Sequence, residues 1–254
     1  MMMMEGKDEN SGPGSCAGLE SGGPRKGLGY GRLGKGLKAV GNSGERVWWD
    51  RGYHPHVESP RLIQHVTFHL ADSLPRHLVE KMAAELKSVP PSLRDTEKEK
   101  RIAGYLDAGR GSCVLRVPEL AHLVQQTLLH FQDKRYHVFA WCVMPNHVHV
   151  LFQAAEGWTM SSIVASWKKY TGRRINAYLR VHTMGAVPPG VSAGLESGSP
   201  VWHRDYFDRY IRDDGHFATV VDYIHNNPVK AGLARRAEDW QWSSGFGGEG
   251  RQAE

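Results

Sequence analysis

The stretch Leu62–Leu70, LIQHVTFHL, alternates apolar and polar positions, the signature of a strand with one buried face. Tyr136–Val143 and His147–Gln153 also read as strands, and Pro145-Asn146 between them supplies turn residues, so the pair is predicted to form a hairpin. Between the first strand and this hairpin the apolar spacing becomes helical. Leu74–Val89 is amphipathic and stops at Pro90-Pro91. A second helix is expected over Thr96–Ala108, ended by Gly109. A third is expected over Pro118–Phe131, where Leu120, Leu123, Val124, Thr127 and Leu128 recur at helical intervals. After the hairpin, Thr159 suits the N-cap of a long helix reaching about Val181, with Ile163, Trp167, Tyr170, Ile175 and Tyr178 on or near its buried side. Trp202–Arg212, WHRDYFDRYIR, reads as a basic-aromatic strand. Asp213–Asn226 reads as a last helix, stopped near Pro228 because the residue before proline disfavours helical geometry. This order of elements predicts an α+β fold with helices packed on an antiparallel sheet.

The flanks read differently. Residues 1–46 are Gly-rich, with too few apolar side chains to offset chain entropy, and a disordered tail is expected there. Within it Arg25, Lys26, Arg32, Lys35 and Lys38 follow one another with no acid between them, either a solvated string or a weak electrostatic arm. An ordered domain is expected over residues 47–244, interrupted by a mobile Gly/Pro/Ser-rich loop at Met184–Pro200 and followed by a short disordered tail at residues 245–254.

Composition narrows the function classes. Of 254 residues, 40% are hydrophobic and 23% charged, as in ordinary globular proteins. No apolar run is long enough to span a membrane and the N-terminus has no signal-like apolar core. Cys16, Cys113 and Cys142 are odd in number and widely separated, which argues against a disulfide framework or a cysteine-based zinc site and fits a reducing cytoplasm. The net charge of +5 is compatible with a polyanionic partner such as nucleic acid.

Candidate chemistry begins with WCVMPNHVHVLF, Trp141–Phe152. In a strand, residues i and i+2 share a face, so His147 and His149 project together, about 7 Å apart at Cα. Val148, Val150 and Phe152 then face a core. Two neutral imidazoles on one face can converge on a cation, or can be half-exposed histidines bonded to water and backbone. In the last helix Tyr223 and Asn227 are one turn apart, a phenol beside an amide oxygen. Two nitrogens and one oxygen suit Mg2+ or Mn2+ better than a closed structural zinc. Lys168, Lys169, Arg173 and Arg174 crowd one side of the long helix, as phosphate contacts or as a solvated face. Arg204, Arg209 and Arg212 interleave with Trp202, Tyr206, Phe207 and Tyr210, a composition for single-stranded nucleic acid, although the aromatics serve equally as core. Lys230 joins the cations as a candidate backbone contact.

MPNHVHVLF, then Trp-x-Arg-Asp-Tyr-Phe-Asp, then DYIHNNPVKAGL resembles, in that order, the REP-associated tyrosine transposases, single-tyrosine members of the HUH endonuclease superfamily. The resemblance covers roughly residues 47–244. It implies a ferredoxin-like, RRM-like core and metal-binding histidines at His147 and His149. It also implies a nucleophile at Tyr223 and a polar ligand at Asn227. By the same resemblance the protein cleaves and rejoins single-stranded or hairpin DNA with Mg2+ or Mn2+. The tyrosine would hold the 5′ phosphate and leave a free 3′-OH, without a nucleotide cofactor. Two departures stand out: the long Met184–Pro200 loop, and His203 where the family pattern has glutamine.

Rival readings are few. Histidine-triad hydrolases need a third strand histidine where this chain has Leu151. His54-Pro55-His56 falls in an expected loop, where proline spoils alignment of the pair. No P-loop occurs. A DNA-binding module without turnover keeps the fold but has no need of His147, His149, Tyr223 and Asn227 together.

Overall fold

The computed structural model describes residues 47–50, 55–58, 61–182, 195 and 198–248. The glycine-rich N-terminal segment and most of Met184–Pro200 lie outside the described residues, and so do the expectations about them.

Strands β1 (Val47–Asp50) and β2 (Pro55–Glu58) form an antiparallel pair. Part of the loop expected around His54-Pro55-His56 is therefore strand, with Pro55 at its first position, where proline is tolerated. His54 lies outside the described residues.

The main sheet contains β3 (Ile63–His69), β4 (Tyr136–Val143), β5 (His147–Ala154) and β6 (Phe207–Tyr210), in the order β4-β5-β3-β6 with every neighbour antiparallel. Three helices separate β3 from the β4–β5 hairpin: α1 (Arg76–Leu86), α2 (Arg94–Asp107) and α3 (Pro118–Leu129). Helix α4 (Met160–His182) leads to β6, and α5 (Asp214–Lys230) closes the fold. The first strand thus lies inside the sheet, flanked by the third and fourth, on a split β-α-β path of ferredoxin-like type.

Alternation along the strands assigns the two faces. Val66, Phe68, Trp141, Val143, Val148, Val150 and Phe152 pack with α3 and α4 into one hydrophobic core. Trp167 Nε1 donates to Tyr136 Oη at 3.0 Å inside this core, satisfying a buried donor. Helix α4 starts where its cap residue predicts: Ser162 N donates to Thr159 Oγ1 at 3.2 Å. Its buried stripe is Met160, Ile163, Val164, Trp167, Thr171, Ile175 and Leu179. Beyond Trp167 the stripe advances by fours, which turns Tyr170 outward to 51% exposure, against the expectation that it faces inward.

Two further expectations are corrected. Only Phe207–Tyr210 of the basic-aromatic stretch is strand. Trp202 makes an isolated bridge to Leu70, and of the two readings open for the aromatics, Trp202 and Tyr206 take the core one. The last helix does not stop before Pro228 but runs through it to Lys230. Proline there forfeits one intrahelical bond in the final turn, and its ring is buried. After α5 the chain returns along the outer edge of β4, where Val143 N donates to Trp242 O and Ser244 N to Trp141 O, each at 2.8 Å. This covers a sheet edge that would otherwise expose unpaired backbone groups.

Candidate active site

The opposite face of the sheet is polar at its centre. Register pairs His69 with His147, Thr67 with His149 and His65 with Leu151, so these side chains share one face. Helix α5 packs over it. His147 and His149 are 0% and 2% exposed, so the half-exposed alternative does not describe them.

Hydrogen bonds orient both rings. Asn146 Nδ2 donates to Arg110 O at 2.8 Å, which leaves Asn146 Oδ1 facing His147 Nδ1 at 2.7 Å. His147 Nδ1 therefore carries the proton and Nε2 presents a lone pair. His149 Nδ1 stands 2.8 Å from Thr67 Oγ1 and 3.2 Å from His65 Nε2. The two Nε2 atoms face one another at 3.0 Å, and Asn227 Nδ2 lies 3.1 Å from His149 Nε2. Burial holds the His147 pKa down to about 3, helped by nearby His69 and Lys230, and holds His149 well below its ordinary value. Both imidazoles are neutral at neutral pH, the form that binds a metal.

Asn227 and Tyr223 come from α5. Among the described residues Asn227 Oδ1 is buried with no hydrogen-bond partner. A carboxamide can present either end by a half turn, so the amide beside His149 can offer its oxygen. The Tyr223 ring lies 5.4 Å from the His149 ring and 5.9 Å from that of His65, edge-on to both. Burial raises the phenol pKa above its ordinary value, nearby Asp107 raises it further, and Asn227 and Lys230 act against that. Lys230 Nζ stands 5.7 Å from the centre of the Tyr223 ring. Continuation of α5 through Pro228 is what places Lys230 on the same helix face as Tyr223 and Asn227.

Tyr223, His147 and His149 open onto a cavity of about 510 Å3, walled by α2 on one side and by β6 and the start of α5 on the other. Arg209, Arg212 and Lys230 line it. Lys168, Lys169, Arg173, Arg174 and Arg204 do not, and Lys168 Nζ donates to Arg204 O at 2.8 Å. The structure thus gathers the two histidines, the tyrosine, the asparagine and three of the eight expected DNA contacts, and leaves five cations elsewhere.

The family described as "Transposase IS200 like" matches residues 118–227, a span that includes His147, His149, Tyr223 and Asn227. A protein of Haemophilus influenzae assigned as a REP-associated tyrosine transposase is 30% identical over 129 residues, covering 50% of this chain and 68% of the relative. The chain belongs to the REP-associated tyrosine transposase family. A second member, from Escherichia coli, is 25% identical over 113 residues, covering 44% of this chain and 56% of that one. A solved REP-associated tyrosine transposase bound to a REP hairpin is 18% identical, covers 72% of this chain and 76% of its own, and has a TM-score of 0.41. Membership makes this chain an enzyme of the tyrosine transposase type, and among the described residues no helix is long and apolar enough to cross a membrane.

Two imidazoles and an amide oxygen are a donor set that a divalent cation can take. Two buried neutral imidazoles and an orphaned amide oxygen leave coordination positions for water or phosphate.

Sequence reasoning passed over His65, Thr67 and Asn146, which orient the two histidines. The alternation His65-Thr67-His69 in LIQHVTFHL already marked a polar strand face. Asp107, whose Oδ2 accepts from Lys230 Nζ at 2.8 Å, carried no sequence signal.

Proposed function

We propose that this transposase cleaves and rejoins single-stranded or hairpin DNA through a covalent 5′-phosphotyrosine on Tyr223, with His147, His149 and Asn227 holding Mg2+ or Mn2+. The observation that carries the reading is the convergence of Tyr223 and Asn227, from one face of α5, on two neutral imidazoles fixed by a sheet. A divalent ion bound there would polarise the scissile phosphate and offset the charge that builds on it.

The chain's own residues account for the rest. The sheet and the Asn146, Thr67 and His65 contacts fix the imidazoles, so little reorganisation is needed at the moment of reaction. The half-buried Tyr223 phenol, its pKa raised, is protonated at rest. Its oxygen bonds to phosphorus as the P–O3′ bond breaks; the phenolic proton passes to water, and the departing O3′ takes a proton from water to become a free 3′-OH. The phosphotyrosine keeps the phosphoester linkage available for attack by another 3′-OH, which is strand transfer without a nucleotide triphosphate. Arg209 and Arg212 follow the strand backbone at the cavity wall. The hairpin preference is carried from the relative solved with a REP hairpin and from the family resemblance. Residues 47–244 form the catalytic domain in this reading.

The test is denaturing electrophoresis of the protein with a labelled single-stranded hairpin and Mn2+. Wild type should give a shifted protein–DNA band, and Tyr223→Phe should lose both adduct and cleavage while still binding the hairpin. An adduct on Tyr223→Phe would place the nucleophile elsewhere. Absence of an adduct in wild type, with hairpin binding intact, would favour a binding module without turnover.

A further inference from the structure

The family match begins at Pro118, so α2 lies outside it, yet α2 walls the cavity. Its last residue is Asp107. The Asp107 side chain is 9% exposed, and its two oxygens differ. Oδ2 is bonded to Lys230 Nζ at 2.8 Å. Oδ1 is buried and, among the described residues, has no hydrogen-bond partner. It stands 3.9 Å from His147 Nε2, the nitrogen that the Asn146 contact leaves with a lone pair.

This arrangement is unfavourable as it stands. A buried oxygen of Asp107 that no donor serves among the described residues faces the His147 nitrogen that the Asn146 contact leaves with a lone pair. The carboxylate also sits at the C-terminal end of a helix, where the dipole disfavours negative charge. Lys230 offsets part of that, but its side chain is 56% exposed and engages the other oxygen.

The position of Asp107 is fixed by the loop behind it. Gly111 has φ +86° and its backbone lies so close to Asp72 that a Cβ would meet the Asp72 carbonyl oxygen at 2.9 Å. Ser112 N donates to Asp72 Oδ2 at 2.6 Å, Leu115 N to Pro145 O at 3.1 Å, and Asn146 Nδ2 to Arg110 O at 2.8 Å. The chain leaving α2 is thus tied both to the loop after β3 and to the turn that starts β5. One of these ties, Asn146, is also the residue that sets the His147 ring.

We propose that Asp107 Oδ1 is a further ligand of the divalent ion, placed opposite the strand histidines by a helix outside the family-matched span. The inference rests on the metal site proposed above. With Asp107, the donor set becomes two imidazoles, an amide oxygen and a carboxylate. The carboxylate supplies the hard anionic donor that Mg2+ and Mn2+ take, which a set of imidazoles and an amide lacks. Lys230 then acts as a positioning residue: by holding Oδ2 it aims Oδ1 at the ion.

The experiment is Mn2+ titration of the full chain without DNA, by calorimetry, together with the change in melting temperature that Mn2+ produces. Reading the Mn2+-dependent change separates metal binding from any loss of apo stability. Asp107→Asn keeps the shape and removes the charge, and should weaken Mn2+ binding by about 10-fold or more. Lys230→Met removes the ion-pair partner but leaves the carboxylate, and should weaken Mn2+ binding by less than half as much on a logarithmic scale. Asp107→Asn that binds Mn2+ like wild type would overturn the inference. So would Lys230→Met that matches the loss in Asp107→Asn, since the ion pair rather than the oxygen would then matter. His149→Ala serves the underlying reading: Mn2+ binding that survives it would overturn the metal site itself, whereas its loss beside an unaffected Asp107→Asn would overturn only the role given to Asp107.

Discussion

One strand, β5, serves two regions with opposite requirements. Val148, Val150 and Phe152 enter a dry core against α3 and α4, while His147 and His149, from alternate positions, meet α5 and the cavity. Both faces are buried, but the first contains groups that burial favours and the second contains groups that burial penalises. The first face contributes stability and makes the second possible: packing fixes the strand, and the fixed strand holds two imidazoles at 3.0 Å in spite of their desolvation. Stability and chemistry are separated here by single-residue alternation, which makes the comparison testable by substitutions one position apart.

The largest effect should come from the core face. Phe152→Ala removes a ring packed edge-on to Tyr136 and Trp167, and should cost about 3–5 kcal/mol, lowering the melting temperature by about 10 °C or more. Calorimetric melting checks this. A change of only a degree or two would mean that the core face is not what holds β5.

The other face should show itself as acid sensitivity. His65 is pushed down to about 4 and His69 to about 3, in both cases chiefly by burial, and His147 likewise to about 3. A lowered pKa means that the unfolded chain binds more protons than the folded one. Stability is then full above the unfolded value of about 6.5 and falls as pH drops below it, by up to about 1.4 kcal/mol per unit per histidine. In EDTA the melting temperature should fall by at least about 5 °C between pH 7 and pH 5. A melting temperature flat across that interval would show that the histidine face is not buried as a neutral cluster.

Much of this contrast was legible in the sequence because alternation is a local property. The strand expected over Tyr136–Val143 has those bounds, and the pairing of His147 with His149 on one face follows from strand geometry. What was not legible depends on packing between distant segments. Nothing local tells that an aspartate ending α2 meets a lysine in α5, because 123 positions separate them. Trp202 and Tyr206 carry the composition of a stacking platform but were drawn into the core by contact with Phe68 and α4. Pro228 signalled a helix end that burial of its ring overrode, and that override brings Lys230 over the site.

The cations supply a finer comparison, between those that line the cavity and those on α4. Arg209→Ala with Arg212→Ala removes two cavity charges and should lower the salt dependence of single-strand binding by a slope of about 1.4, since each phosphate contact contributes about 0.7. Lys169→Ala with Arg173→Ala, on the exposed side of α4, should change that slope by less than half as much. Fluorescence anisotropy over a salt series measures both. Equal slopes would extend the DNA path across α4 and restore the broader footprint suggested by the sequence.

The smallest effect is expected from the glycine-rich segment, where charge occurs without the residues needed to build a core. Removing residues 1–44 takes away few apolar side chains, so the melting temperature should move by less than about 2 °C. Arg25, Lys26, Arg32, Lys35 and Lys38 would go with it. Cations strung along a glycine-rich chain contribute to affinity by releasing counterions, not by fixing a phosphate against a nucleophile. The truncated protein should therefore lose hairpin affinity at low salt, keep it near the wild-type value at high salt, and form the Tyr223 adduct at an unchanged rate once saturated with DNA. A large fall in melting temperature would instead mean that this segment packs on the domain. A slower adduct rate at saturation would mean that it reaches the cavity.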